Sequence, residues 1–239
     1  MGCKLHSLNP PVLYQFTPTK PNFRNGSGTI VFSSNKTNQR VPISASALPR
    51  AEVSTISFKT LEACKLGISR YPDFEYNALG GKGTGTGTKV EKSDQSGEIS
   101  ISFDLNTLYI PPLTSGTTKF LGLPLPPFLK IDIAPELFKG RIDQDSGKVD
   151  LEFIAKFWFS AGSIYRAPPL LVKTVLTSEE SKGMIRRGRG ERLNKEGKCR
   201  LVGVATVDPI KDVFMNTFLG LPTECLAVLN AEISFSGSS

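Results

Sequence analysis

Val149-Asp-Leu-Glu-Phe-Ile-Ala-Lys-Phe-Trp-Phe159 decides the fold class. Val149, Leu151, Phe153, Ala155, Phe157 and Phe159 fall on every second position, the period of a strand whose two faces meet different surroundings. The opposite face carries Asp150, Glu152, Ile154, Lys156 and Trp158. It begins charged and ends apolar, so this long strand leaves solvent partway along. Just before it, Asp143-Gln-Asp-Ser-Gly147 reads as a hairpin turn, with Phe138 to Ile142 as the preceding strand.

The same alternation spreads in both directions. Ile99, Ile101, Phe103 and Leu105 alternate with Ser100, Ser102, Asp104 and Asn106, and Leu129, Ile131 and Ile133 alternate with Lys130 and Asp132. Leu170 to Ser178 and Leu201 to Val207 are further strands, the latter ended by Asp208-Pro209. Cys225, Ala227, Leu229, Ala231, Ile233 and Phe235 alternate to the end of the chain. Helical spacing is scarce. Phe58, Leu61, Cys64, Lys65 and Ile68 predict one short helix capped by Ser57, although Val53, Ile56 and Phe58 fit a strand equally well. Val213 to Thr217 predicts a second. About eight to ten strands, with turns between them and no helical crossovers, predict an all-β, mainly antiparallel fold: a single barrel or sandwich with one or two short helices. The Phe-lined strand suits a barrel whose interior is either filled or holds a ligand.

Gly83 to Thr88 alternates glycine and threonine, which in a strand places glycine on one face. Glycine there marks a bend or a close approach to the backbone. The tract is no phosphate loop, because Gly81-Lys82 is followed by Gly83 rather than Ser or Thr. The candidate ligand-binding residues are therefore Phe153, Phe157, Phe159 and Trp158 on the long strand and Gly83, Gly85 and Gly87 on the glycine strand. Asp143 and Asp145 resemble the start of a calcium loop, but the twelfth position is Ile154, so no metal site is expected.

Phe120-Leu-Gly-Leu-Pro124 recurs as Phe218-Leu-Gly-Leu-Pro222. Each copy predicts an apolar bend leading into a strand, and the flanks barely match, so two similar bends are expected rather than a duplicated unit. Leu108 to Leu113 and Phe120 to Leu129 put large apolar side chains where proline prevents regular pairing. They are expected to plug the end of a barrel or to form an exposed patch.

The single histidine is His6. If the leader is removed, the remaining chain has none, which excludes Ser-His-Asp and Cys-His catalysis and any His-ligated metal. Cys64, Cys199 and Cys225 are expected to be reduced core residues. No catalytic residue and no cofactor is assigned. The densest charge runs from Arg186 to Arg200, with seven bases and two acids. Arg186, Arg187, Arg189 and Arg192 are the candidate surface for a partner or an anionic lipid. Aromatic residues are absent there, which argues against nucleic acid.

The net charge of +7 is concentrated at the N-terminus. Lys4, Lys20, Arg24, Lys36, Arg40 and Arg50 precede the first acid, Glu52, and the rest of the chain is nearly balanced. Residues 1–47 are rich in Ser, Thr, Asn and Pro, and Arg40-Val-Pro-Ile-Ser-Ala-Ser-Ala47 resembles the processing region of plant chloroplast transit peptides. That resemblance implies a disordered transit peptide over 1–47, a β domain over 48–239, and residence in the chloroplast stroma or on the stromal face of the thylakoid. Met1-Gly2-Cys3 is a poor acylation signal, since the sixth residue is His6. These observations lead to the expectation of a non-catalytic binding role, holding a hydrophobic ligand (lipid, isoprenoid or pigment) or assisting assembly of a thylakoid complex. One alternative is an adaptor that meets a membrane surface or membrane-complex subunit through the basic loop and apolar bends. The other is a His-independent isomerase or cyclase.

Overall fold

The computed structural model describes residues 53–89 and 97–237. These belong to one compact unit, Ala47–Ser239. The leader, its acylation motif and His6 lie outside the described residues.

The described chain is an antiparallel β-barrel. Its strands are β1 (Val53–Thr60), β2 (Cys64–Ile68), β3 (Phe74–Tyr76), β4 (Lys82–Lys89), β5 (Glu98–Phe103), β6 (Thr118–Phe120), β7 (Leu123–Pro124), β8 (Leu129–Asp143), β9 (Val149–Ala161), β10 (Tyr165–Arg166), β11 (Leu170–Thr177), β12 (Glu180–Lys182), β13 (Arg187–Arg189), β14 (Lys198–Val207) and β15 (Thr223–Gly237). The single helix among the described residues, α1 (Val213–Leu219), falls where helical spacing predicted it. Eight strands close a ring in the order β1-β4-β5-β8-β9-β11-β14-β15, with β15 pairing back to β1.

The pairings divide the barrel into two storeys. At the end marked by the Asp143–Gly147 turn, β1, β4 and β5 complete the wall between β15 and β8. At the opposite end, marked by Leu129 and Ala161, β15 pairs instead with β2, followed by β3, β6 and β7. An isolated bridge from Leu113 to Ile131 joins this second wall to β8. The long strands β8, β9, β14 and β15 span both storeys.

The helix predicted from Ser57 does not form. Phe58 lies in β1, Cys64, Lys65 and Ile68 in β2, and Leu61 in the jog between these strands, which run the same way along one edge of β15. Ala63 takes a left-handed φ of 56° there. The Asn230 side chain holds the jog by donating to the Glu62 and Ala63 carbonyls, both at 3.1 Å. Between Thr60 and Lys65 four residues face only Leu229 and Asn230 of β15, so a two-residue insertion interrupts the ladder where the letters suggested a helix. The segments around Ile131 and Phe138, read as two strands, are one 15-residue strand, β8. Its register slips between Pro135 and Leu137, and a bulge is where proline is tolerated in a ladder.

The first storey is packed solid. Ile56, Ile142, Val149, Leu151, Leu201 and Ile233 are essentially inaccessible. Between the storeys lies an aromatic floor. Phe138 stacks on Phe103 at 4.6 Å and meets Phe58 edge-on at 5.1 Å and Phe153 at 5.8 Å.

A candidate ligand cavity in the second storey

Above the aromatic floor the barrel is hollow. A cavity of about 450 Å³, partly open to the outside, is lined by β2, β3, β6 and the second-storey halves of β8, β9, β11, β14 and β15. The helix α1 closes its far end with Met215, Phe218 and Leu219. The lining is aliphatic and aromatic almost throughout, and no carboxylate, amine or guanidinium belongs to it.

The few polar atoms on this wall are already engaged with the protein itself. The Tyr76 hydroxyl donates to the Pro111 carbonyl, the Tyr71 hydroxyl to the Phe218 carbonyl at 2.7 Å, and the Thr174 hydroxyl to the Val204 carbonyl at 2.9 Å. Burial pushes the Tyr76 phenol up, so it stays a neutral donor. Burial likewise raises the thiol of Cys225, which also lines the cavity, to about 11, and that of Cys199 to about 12. Neither supplies a thiolate nucleophile near neutral pH. A guest in this space would meet dispersion contacts and few free hydrogen-bonding groups.

The wall has a seam. The ladder between β11 and β14 consists of one pair, Thr177 with Val202. Beyond it the strands separate, and side chains take over the backbone of Val204: its N–H donates to the Ser181 hydroxyl at 3.0 Å, and its carbonyl accepts from Thr174. Leu170, Val172, Gly203 and Ala205 line the cavity on the two sides of this seam.

Of the candidate ligand residues, Phe153, Phe157 and Phe159 line the cavity. Trp158 does not. The alternation of β9 turns it to the outer face, where the Arg166 guanidinium carbon lies 4.8 Å from the ring centroid. There it lines a shallow outer depression with Lys130, Asp132, Ser160 and Arg166. Gly83, Gly85 and Gly87 face inward, as the period of two requires, but into the packed storey. A Cβ at Gly83 would lie 2.8 Å from Leu108, one at Gly85 3.0 Å from Phe103, and one at Gly87 2.7 Å from Ile56. The groups approaching these backbones are the protein's own core.

The four candidate arginines are divided. Arg186 is a structural residue: its guanidinium pairs with Asp73 at 2.6 Å and donates to the carbonyls of Ile68 and Tyr71. Arg192 pairs with Glu179 at 2.5 Å. Arg187 and Arg189 are exposed on β13. The hairpin of β12 and β13 is held at its tip by Glu224, a buried carboxylate that the sequence reading missed. Glu224 accepts the N–H groups of Met184 at 2.6 Å and of Ile185 and Arg186 at 2.8 Å. These bonds, that from Arg186 foremost, hold its carboxyl below the usual range.

Among the described residues, no group of three or more His, Cys, Asp or Glu side chains is placed to hold a metal ion. The chain matches no protein-family model, and comparison with curated proteins and with solved structures likewise gives no match.

Proposed function

We propose that this domain binds a hydrophobic small molecule, a lipid, isoprenoid or pigment, inside the second storey of its barrel, and that it does so in the chloroplast, in the stroma or at the stromal face of the thylakoid. The observation that carries the reading is the apolar cavity of about 450 Å³. Its size lies within the span of roughly 300–1,000 Å³ usual for ligand sites. Left empty, it would be expensive. Side chains that face an unfilled apolar space lack the partner atoms that those of the packed storey have. Water gains little there, because the polar atoms on the wall already have partners. An apolar guest removes the penalty. The compartment rests on the acid-free, Ser/Thr-rich composition of residues 1–47.

Native mass spectrometry with organic extraction of the protein purified from chloroplasts tests this. The expected result is a stoichiometric apolar molecule released by solvent. A protein that is uniformly ligand-free, and that also takes up no long-chain lipid offered in detergent, would overturn the reading.

A further inference from the structure

The rim around the cavity is also apolar, on its outside. The eight most exposed large apolar side chains among the described residues, 58% to 97% accessible, all belong to the cavity end. Leu121 and Leu123 project from the β6–β7 hairpin, with Phe128 just beyond it. Ile164 tips the β9–β10 turn, which is tied to Phe128 by a Gly162 N–H to Phe128 carbonyl bond of 2.7 Å. Val213 and Phe214 stand on α1, and Met184 and Ile185 at the end of the β12–β13 hairpin. Aromatic contacts bring these separate segments together: Tyr71 meets Phe120 at 6.3 Å and Phe218 at 5.6 Å, and Phe214 meets Tyr165 at 5.4 Å.

Charge on the same tips favours one kind of partner. Arg70, Lys119, Arg166, Arg187 and Lys211 accompany the apolar residues. Two of the nearby carboxylates are already engaged. Asp73 is paired with Arg186, while Asp212 caps α1 and accepts the Tyr165 hydroxyl at 2.7 Å. Isolated apolar side chains on several separate tips, rather than one continuous groove, suit a fluid that closes around each tip. Interspersed cations suit anionic headgroups. Leu121 adds a local argument. It occupies the first position of a tight turn with φ 52°, followed by Gly122 with φ 79°. Asn or Asp is the usual residue there, and leucine adopts this conformation at a cost. Strain that serves to expose an apolar side chain points to a use for that side chain.

We infer that the cavity end docks on an anionic lipid bilayer, with Leu121, Leu123, Phe128 and Phe214 inserted among the acyl chains and the cavity held over the membrane. This rests on the proposed cargo for its purpose but is measured separately from it. The full chain is sedimented with vesicles of phosphatidylcholine and phosphatidylglycerol in equal parts, and with phosphatidylcholine alone. Binding is expected to be stronger to the mixed vesicles, to weaken with salt, and to fall about tenfold or more in the Leu121→Ser/Leu123→Ser/Phe128→Ser variant. Leu121→Asn alone is expected to weaken binding while suiting the turn, so its loss of binding cannot be ascribed to misfolding. A reporter chain with Trp158→Phe and Phe214→Trp is expected to emit further to the blue on mixed vesicles and to be quenched by brominated acyl chains. Binding that is the same in the triple variant as in the parent chain would overturn the inference, because residues 1–47 would then be the anchor. Failure to bind either vesicle would overturn it in favour of a protein partner. Extracted cargo in the triple variant reports on the cavity alone, so a vesicle result and a cargo result fail independently.

Discussion

Glu224 shows how much can depend on one carboxylate with only backbone donors around it. Three successive N–H groups, of Met184, Ile185 and Arg186, converge on its two oxygens, and a Cβ at Gly183 would lie 2.6 Å from each of them. The depressed folded-state pKa means that its stabilising effect is complete above its ordinary value of 4.5 and is lost as pH falls through the lower folded value. Acidification from about pH 5 to about pH 3 should therefore lower the melting temperature of the native protein more steeply than that of Glu224→Gln, which should start lower at neutral pH and respond less. Asp143 and Asp212 are also depressed, but they persist in the variant, so the difference between the two curves isolates Glu224. Equal slopes would show that the tip of the β12–β13 hairpin is held by something else. Nothing in the sequence marks Glu224, because its donors lie 38 to 40 positions away. Arg186 was legible as a base but not as a half-buried ion-pair partner, for the same reason.

Elements were far more legible than residue roles, because a strand writes its period into neighbouring letters. The strands Glu98–Phe103, Val149–Ala161 and Thr223–Gly237 coincide with alternating runs, and Lys198–Val207 with a largely apolar one. Where the ladder is interrupted, by the two-residue insertion at Ala63 or the bulge at Pro135, the letters mimic a helix or a strand end. The repeated Phe-Leu-Gly-Leu-Pro is a sharper case. Both glycines take left-handed φ, 79° at Gly122 and 69° at Gly220. The first copy is the turn of a two-stranded hairpin, while the second is the C-cap of α1 followed by a cis Leu221–Pro222 bond. The bend belongs to the five letters, whereas the structure on either side is set by the long-range neighbours of each copy. The contrast between storeys yields a paired prediction. Leu201→Ala, in the packed storey, should lower the unfolding free energy by about 2–5 kcal/mol. Val172→Ala, on the cavity wall, should lower it by about 1 kcal/mol, since it enlarges an existing space and leaves no new one. Chemical denaturation measures both, and equal losses would mean that the second storey is packed as tightly as the first.

At the scale of the molecule, an all-β barrel was readable, and so was an inward row of Phe153, Phe157 and Phe159. The cavity was not. Its wall is assembled from nine strands, three loops and a helix, and whether facing side chains meet or leave a gap is decided by the spacing between strands far apart in sequence. Ala227 faces this space from β15. Ala227→Phe should abolish retention of an extracted apolar molecule without lowering the melting temperature of the ligand-free protein, because the added ring enters a void rather than a filled core. Retention of cargo with a markedly lowered melting temperature would show that Ala227 abuts a filled interior. The two storeys also divide the protein's evolutionary freedom. The ring closed by β1, β4 and β5 carries the tightly packed interior, and substitutions there are expected to cost more than those on the cavity wall of the ring closed by β2, β3 and β6. On that expectation, lining residues could be exchanged, and new guests tried, while the packed storey keeps the chain folded.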